Sequence, residues 1–141
     1  MADSVLVVTS GLTIITNALL NPGGAGAAVA PKWVQWGVGT TPPATGNTDL
    51  ETKTDCDEGR ENVTATVETD ALADDTFQVT ALLTKDPATS AAITEVATFN
   101  LEDDSAPAAG GTMFLRATFS AINLVAGNSI DFTIDTKFVP V

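Results

Sequence analysis

Five stretches of the chain alternate apolar and polar residues with a period of two. In residues 62–69, Val63, Ala65 and Val67 fall on one side, with Thr64, Thr66 and Glu68 on the other. In 76–84 the apolar side is Phe77, Val79, Ala81 and Leu83, and in 92–100 it is Ile93, Ala97 and Phe99, interrupted by Glu95. In 112–119, Met113, Leu115, Ala117 and Phe119 oppose Phe114, Arg116 and Thr118. In 130–138, Ile130, Phe132, Ile134, Thr136 and Phe138 oppose Asp131, Thr133, Asp135 and Lys137. Successive strand side chains point to opposite faces, so each stretch reads as a strand with one face buried. Gly, Pro, Asn and Asp separate the stretches, which is the pattern of an antiparallel sandwich.

Residues 5–8 and 32–38 (KWVQWGV) add two further strands. Three positions separate Trp33 from Trp36, so the strand places them on opposite faces, one available to the core and the other to a partner or loop. Residues 10–20 (SGLTIITNALL) set Leu12, Ile15 and Leu19 at helical spacing, with Ser10 as the expected N-cap and Asn21-Pro22-Gly23-Gly24 as the stop. The alternating threonines there also permit an edge strand. Residues 21–31 (NPGGAGAAVAP) read as a Gly/Ala-rich arm, and 39–49 as turn chemistry in which Pro42-Pro43 excludes a central strand. The expectation is one all-β domain over residues 1–141, an antiparallel β-sandwich with a short N-terminal helix. Jelly-roll and immunoglobulin-like topologies both fit, and the jelly roll is the expected variant.

At 141 residues the chain is the size of one domain. Eighteen acidic residues against six cations give a formal net charge of -12, which opposes binding to nucleic acid or an anionic membrane. Histidine is absent and Cys56 is the lone cysteine, so no Ser-His or Cys-His pair, imidazole metal site or intramolecular disulfide can form. The acidic start resembles no signal peptide, and 5–20 is too short and too polar to span a bilayer. No enzyme activity and no cofactor are expected.

The candidate chemistry is sparse. Asp55-Cys56-Asp57-Glu58 followed by Gly59 resembles the start of a calcium loop, but Thr66 stands at the twelfth position, where the motif needs Glu. Asp74-Asp75 and Asp103-Asp104 are expected to be solvated loops, and carboxylate pairs in turns make a poor glycosidase site. Flanking carboxylates raise the pKa of a thiol, so Cys56 is expected to be unreactive. Asn62-Val63-Thr64 fits a glycosylation acceptor, but the pattern is common by chance and carries no meaning without a signal peptide, and Gly37-Val38-Gly39 lacks the third glycine and helix of a phosphate cradle. Glu95 and Arg116 interrupt the apolar pattern of neighbouring strands, which predicts a cross-strand ion pair in the sheet or at an interface.

Several stretches together carry a resemblance. Residues 36–44 (WGVGTTPPA) with 48–52 (TDLET) resemble the segment WGxGTTxPxxxxTxLxT of small virion proteins of tailed bacteriophages. Residues 93–99 (ITEVATF) resemble their ITEVGLF strand, and 110–119 (GGTMFLRATF) with 122–130 (INLVAGNSI) their closing strands. Thr98 departs from the common Leu, and residues 102–109 lengthen the loop before Gly110. The resemblance implies a capsid cement (decoration) protein that clamps neighbouring major capsid proteins on the outer capsid surface of the virion and is made in the bacterial host cytoplasm. A tail or fibre component that recognises the host surface is the alternative. The implied partners are the major capsid protein and a second copy in a homodimer, with neither nucleic acid nor membrane. The expected grips are the arm, with Pro22, Gly23 and Gly24, and the chain end at Val141. Trp33 or Trp36 is the expected anchor, since Trp is enriched at interface hot spots.

Overall fold

A computed structural model describes residues 2–20, 29–54, 59–70, 72–86, 88–102 and 110–138. Its elements in chain order are β1 (Ala2–Val7), α1 (Thr9–Leu20), β2 (Trp33–Gly37), β3 (Glu61–Asn62), β4 (Thr64–Glu68), β5 (Thr76–Thr84), β6 (Ala91–Phe99), β7 (Met113–Leu124) and β8 (Ser129–Lys137). The strands form a five-stranded sheet, β1-β7-β6-β2-β3, and a three-stranded sheet, β4-β5-β8, with every pairing antiparallel. The all-β sandwich with a short N-terminal helix is therefore the fold. It is only loosely compatible with a jelly roll, because β4 pairs directly with β5 and β6 with β7, whereas a jelly roll interleaves two Greek keys.

The inner core lies between the sheets. Val34 and Trp36 from the large sheet meet Val79, Ala81 and Leu83 of β5, with Ile93, Val96, Leu115 and Ala117 alongside. At one margin the sandwich is closed by the chain itself. Residues 61–68 begin as the edge of the large sheet and end as the edge of the small one, and Val63 N, in the gap, donates to Lys32 O at 3.1 Å. At one end the 125–128 turn is tied to the start of the β5–β6 connection by Lys85 N to Asn128 O at 2.9 Å and Gly127 N to Lys85 O at 3.1 Å. Gly127 has φ +80°, a conformation in which a Cβ is strained.

α1 packs on β7, with Ile14 reaching the inner core beside Phe114. The approach is close: a Cβ on Gly11 would collide with the Phe114 backbone. Ser10 is not the N-cap expected from the sequence. The helix begins one residue earlier, Val8 O accepts from Gly11 N and Leu12 N, and Ser10 Oγ instead donates to Met113 O at 2.8 Å.

Two irregularities reassign faces that strict alternation would fix. The β6–β7 register shifts between Ile93 and Glu95 and again between Thr98 and Phe99. On β7 the first shift takes up two surplus residues and the second takes up one, so side chains on the two strands no longer alternate in step. Ile93 therefore points into the inner core, whereas Ala97 and Phe99, expected on the same side, belong to a second cluster with Val8, Leu50 and Met113. Phe114, expected opposite Leu115, joins it in the inner core and meets Phe77 edge-on at 6.3 Å.

Candidate functional site

The second cluster lies on the outer face of the large sheet, which is buried around it. Residues 38–54 leave β2, cross this face and return, with Val38 N donating to Thr52 O at 2.8 Å and Gly37 bridging Lys53. Leu50 is the apolar plug of this layer.

The polar centre beneath the loop is the pair expected from the sequence. Glu95 on β6 is 0% exposed, and its Oε2 accepts from Arg116 Nε of β7 at 2.8 Å and pairs with Nη2 at 2.8 Å. The same carboxylate gathers three backbone N–H groups of the loop. Gly39 N and Thr52 N donate to Oε1 at 3.0 and 2.9 Å, and Glu51 N donates to Oε2 at 3.1 Å. Arg116 Nη1 continues to Asn47 Oδ1 at 3.2 Å, Nη2 lies 3.5 Å from Glu51 Oε2, and Thr94 Oγ1 donates to Gly39 O at 2.8 Å. Hydrogen bonds to a charged group in a water-poor site are the strong ones. Both ends of the loop are thereby fixed to one carboxylate, and its middle, at Asn47, to the arginine paired with it. Its lone pairs are all engaged, so the arrangement positions a loop and has no proton or ligand position to offer.

Gly37 and Gly39, which carried no phosphate-site meaning, find their reason here. A Cβ on Gly37 would collide with Thr52 O and lie 2.5 Å from Glu95 Oε1, and one on Gly39 would lie 2.5 Å from the Glu51 Cβ and 2.6 Å from Glu95 Oε1. Glu51, at the loop's outer rim, accepts from Thr41 N at 2.8 Å and Thr41 Oγ1 at 2.7 Å. These bonds, with Arg116 adding to them, hold its carboxyl below the ordinary value.

Sequence reasoning missed Arg60. This cation is buried, stacks 3.7 Å over the Phe99 ring, and donates to Gln35 Oε1 at 3.2 Å. Its Nη1 holds Leu101 O at 3.1 Å and Gly110 O at 2.5 Å, pinning the neck of the 102–109 insertion. The one available signal was a lone cation directly after an acidic turn and before a strand.

The structure puts both candidate indoles inside the chain. Trp36 is 0% exposed in the inner core. Trp33, on the opposite face as the spacing required, pairs in register with Phe99 and is also buried, with Lys32 Nζ 5.1 Å from its ring. Asp75 is buried and accepts from Asp70 N, Leu72 N and Thr76 Oγ1, so it organises the β4–β5 turn instead of standing as a solvated doublet with Asp74. Pro22, Gly23, Gly24 and most of the 21–31 arm, Cys56 with its acidic neighbours, Asp103-Asp104 and Val141 lie outside the described residues. Among the described residues, no three acids or thiols gather in a group that could hold a metal ion.

The remaining feature is the margin opposite the closed one. There the large sheet ends in β1 and the small sheet in β8, and an apolar groove of about 370 Å³ opens between them. The fold and its sites thus define a β-sandwich with one pinned loop layer and one open margin. No family model matches the chain, and neither the curated proteins nor the solved structures contain a match to it.

Proposed function

We propose that this chain is a structural virion protein of a tailed bacteriophage, one that docks on the outer capsid surface and cements neighbouring major capsid proteins. One observation carries the reading beyond scattered sequence likeness. The stretches 36–52, 93–99 and 110–119, each weak alone, are tied together by Glu95, which reaches Gly39, Glu51 and Thr52 in the first and Arg116 in the third. Segments that build one clamp are the segments a shared fold would keep in common order. The net charge of -12 supports an outward position, since packaged DNA would repel such a protein from the inside.

The test is the stoichiometry of this chain in purified virions relative to the major capsid protein. A ratio near one, or a simple fraction of it, is the expected result. A few to a few dozen copies per particle would move the protein to the tail or fibre, and absence from virions would end both structural readings.

A further inference from the structure

The two margins of the sandwich are unequal, and among the described residues the open one is short of a strand in the small sheet. The large sheet is five strands wide and the small one three, with the corner at 61–68 holding them flush on one side. On the other side the inner face of β1 and β7 extends past β8. Val5 pairs in register with Ala117 and shares its inward face, yet it is 56% exposed. Phe119 is half-buried and meets Phe132 of the small sheet at 5.8 Å between ring centroids. β8 itself is nine residues long, pairs only with β5, and leaves its other edge unpaired among the described residues. An edge of this length is a template for another strand.

We infer that this margin accepts one extended segment of a partner protein as a fourth strand of the small sheet, with apolar residues alternating with basic ones. The apolar side chains would enter the groove over Val5, Ala117 and Phe119, and the basic ones would lie on the outer face beside Asp131 and Asp135. The main-chain bonds of β8 supply affinity and the alternating pockets supply specificity, as in other strand additions. The charge follows from β8. Its outward residues are Ser129, Asp131, Thr133, Asp135 and Lys137, and Lys137 already pairs with Asp70 at 2.9 Å. Gln78 donates to Asp135, but Asp131 has no ion-pair partner among the described residues. A basic residue opposite these acids is favourable, and an acidic one is not.

A second copy of this chain fits the margin badly. Antiparallel pairing of two β8 strands places both large sheets on the same side of the joined small sheet. Two five-stranded sheets would then have to lie over six strands, and their overhanging margins would collide. A lone strand fills the deficit without that conflict.

The inference gives the docking role proposed above a surface and rests on that reading only for whose strand it is. Virion stoichiometry tests the role and a peptide titration tests the surface, so each can fail alone. The probe is a fluorescein-labelled nine-residue peptide of alternating Lys and Val, titrated with the full chain, with an alternating Glu and Val peptide as counterpart. Saturable binding of the Lys peptide and none of the Glu peptide is expected, with the β8 backbone amides slowed in hydrogen exchange. Val5→Arg, at an exposed position that the fold tolerates, should weaken binding at least about tenfold by filling the groove. Asp131→Lys should weaken it several-fold, while Asp86→Lys, an equal charge change away from the groove, should leave it within about twofold. Failure of the Lys peptide to bind, equal binding of the Glu peptide, or equal loss with Asp86→Lys would overturn the inference. So would a homodimer in sedimentation that Val5→Arg dissociates.

Discussion

Both faces of the middle of the five-stranded sheet are buried, but they are held by different physics. The inner face buries Val34, Trp36, Val96, Leu115 and Ala117 against the small sheet, an attraction without direction that tolerates repacking. The outer face buries Glu95 and Arg116 beneath a loop with little regular structure and Gln35 against Arg60, where each contact has a required angle and partner. A sheet face is ordinarily covered by another sheet or by helices. Here one ion pair with three backbone donors does that work, so the outer layer is the more specific and the less forgiving of the two.

Five single substitutions and one double-mutant cycle probe these layers and their rims, from the largest expected effect to the smallest. Glu95→Ala strands a buried guanidinium and three amides, and breaking a buried pair by removing one partner costs about 3–5 kcal/mol. Trp36→Ala should cost a similar amount, about 3–5 kcal/mol, by leaving a cavity. Denaturant unfolding checks both, and a double-mutant cycle tests the polar network. Glu95→Ala combined with Arg116→Ala should depart from additivity by roughly 0.5–3 kcal/mol because the two share a network. A cycle of Glu95 and Arg116 that proved additive would mean the outer layer is held by Leu50 and its apolar neighbours alone.

Gly37→Ala comes next. The added methyl meets the Thr52 carbonyl, which is backbone and cannot swing aside, so a cost of about 1–3 kcal/mol is expected from overpacking. Faster amide exchange over 38–54 with β5 and β8 unchanged would locate the damage in the outer layer.

Glu51→Gln tests the rim. The folded-state pKa of Glu51 lies below the ordinary 4.5, so its ionised form stabilises the fold above that value, and the contribution fades as pH falls through the lower folded value. The stability difference between the chain and Glu51→Gln should therefore be present at neutral pH and vanish in strong acid. Thermal melts across the acid range measure it.

Lys137→Met should have the least effect, because its partner Asp70 is exposed and the pair is screened by salt. The hydrogen bond to Asp70 raises the Lys137 pKa above the ordinary 10.5, so what the pair contributes is complete below 10.5 and disappears as pH rises through the folded value. Melts at low and high salt near neutral pH should show the small difference shrinking.

Much of the fold was legible because burial on one face writes itself into the chain with period two. Phe77, Val79, Ala81 and Leu83 occupy the face their spacing required, and β5 runs over the predicted residues. The bulges were not legible. A bulge changes no residue type, so Ile93 and Phe99 read as face-mates although the register shift between Ile93 and Glu95 separates them. The Glu95–Arg116 pair was visible as two charges out of pattern, but not its purpose, because its other partners are backbone amides that every residue except proline carries. Gly37 and Gly39 were visible only as glycines. Their meaning is the absence of a methyl group, and that has meaning only against the loop that packs there. Neither tryptophan reads differently at an interface and in a core, since both environments bury an indole.

The clamp also has a consequence for inheritance. Glu95 cannot lose its charge without stranding Arg116, Arg116 cannot be replaced without leaving a buried carboxylate, and neither Gly37 nor Gly39 can gain a side chain while the Thr52 carbonyl, Glu51 and Glu95 fill the space beside them. These four positions can only change together, by routes that pass through poorly folded intermediates. Lineages descended from this chain should hold them constant while the strand surfaces drift, so the quartet would outlast overall sequence identity as a marker of common ancestry.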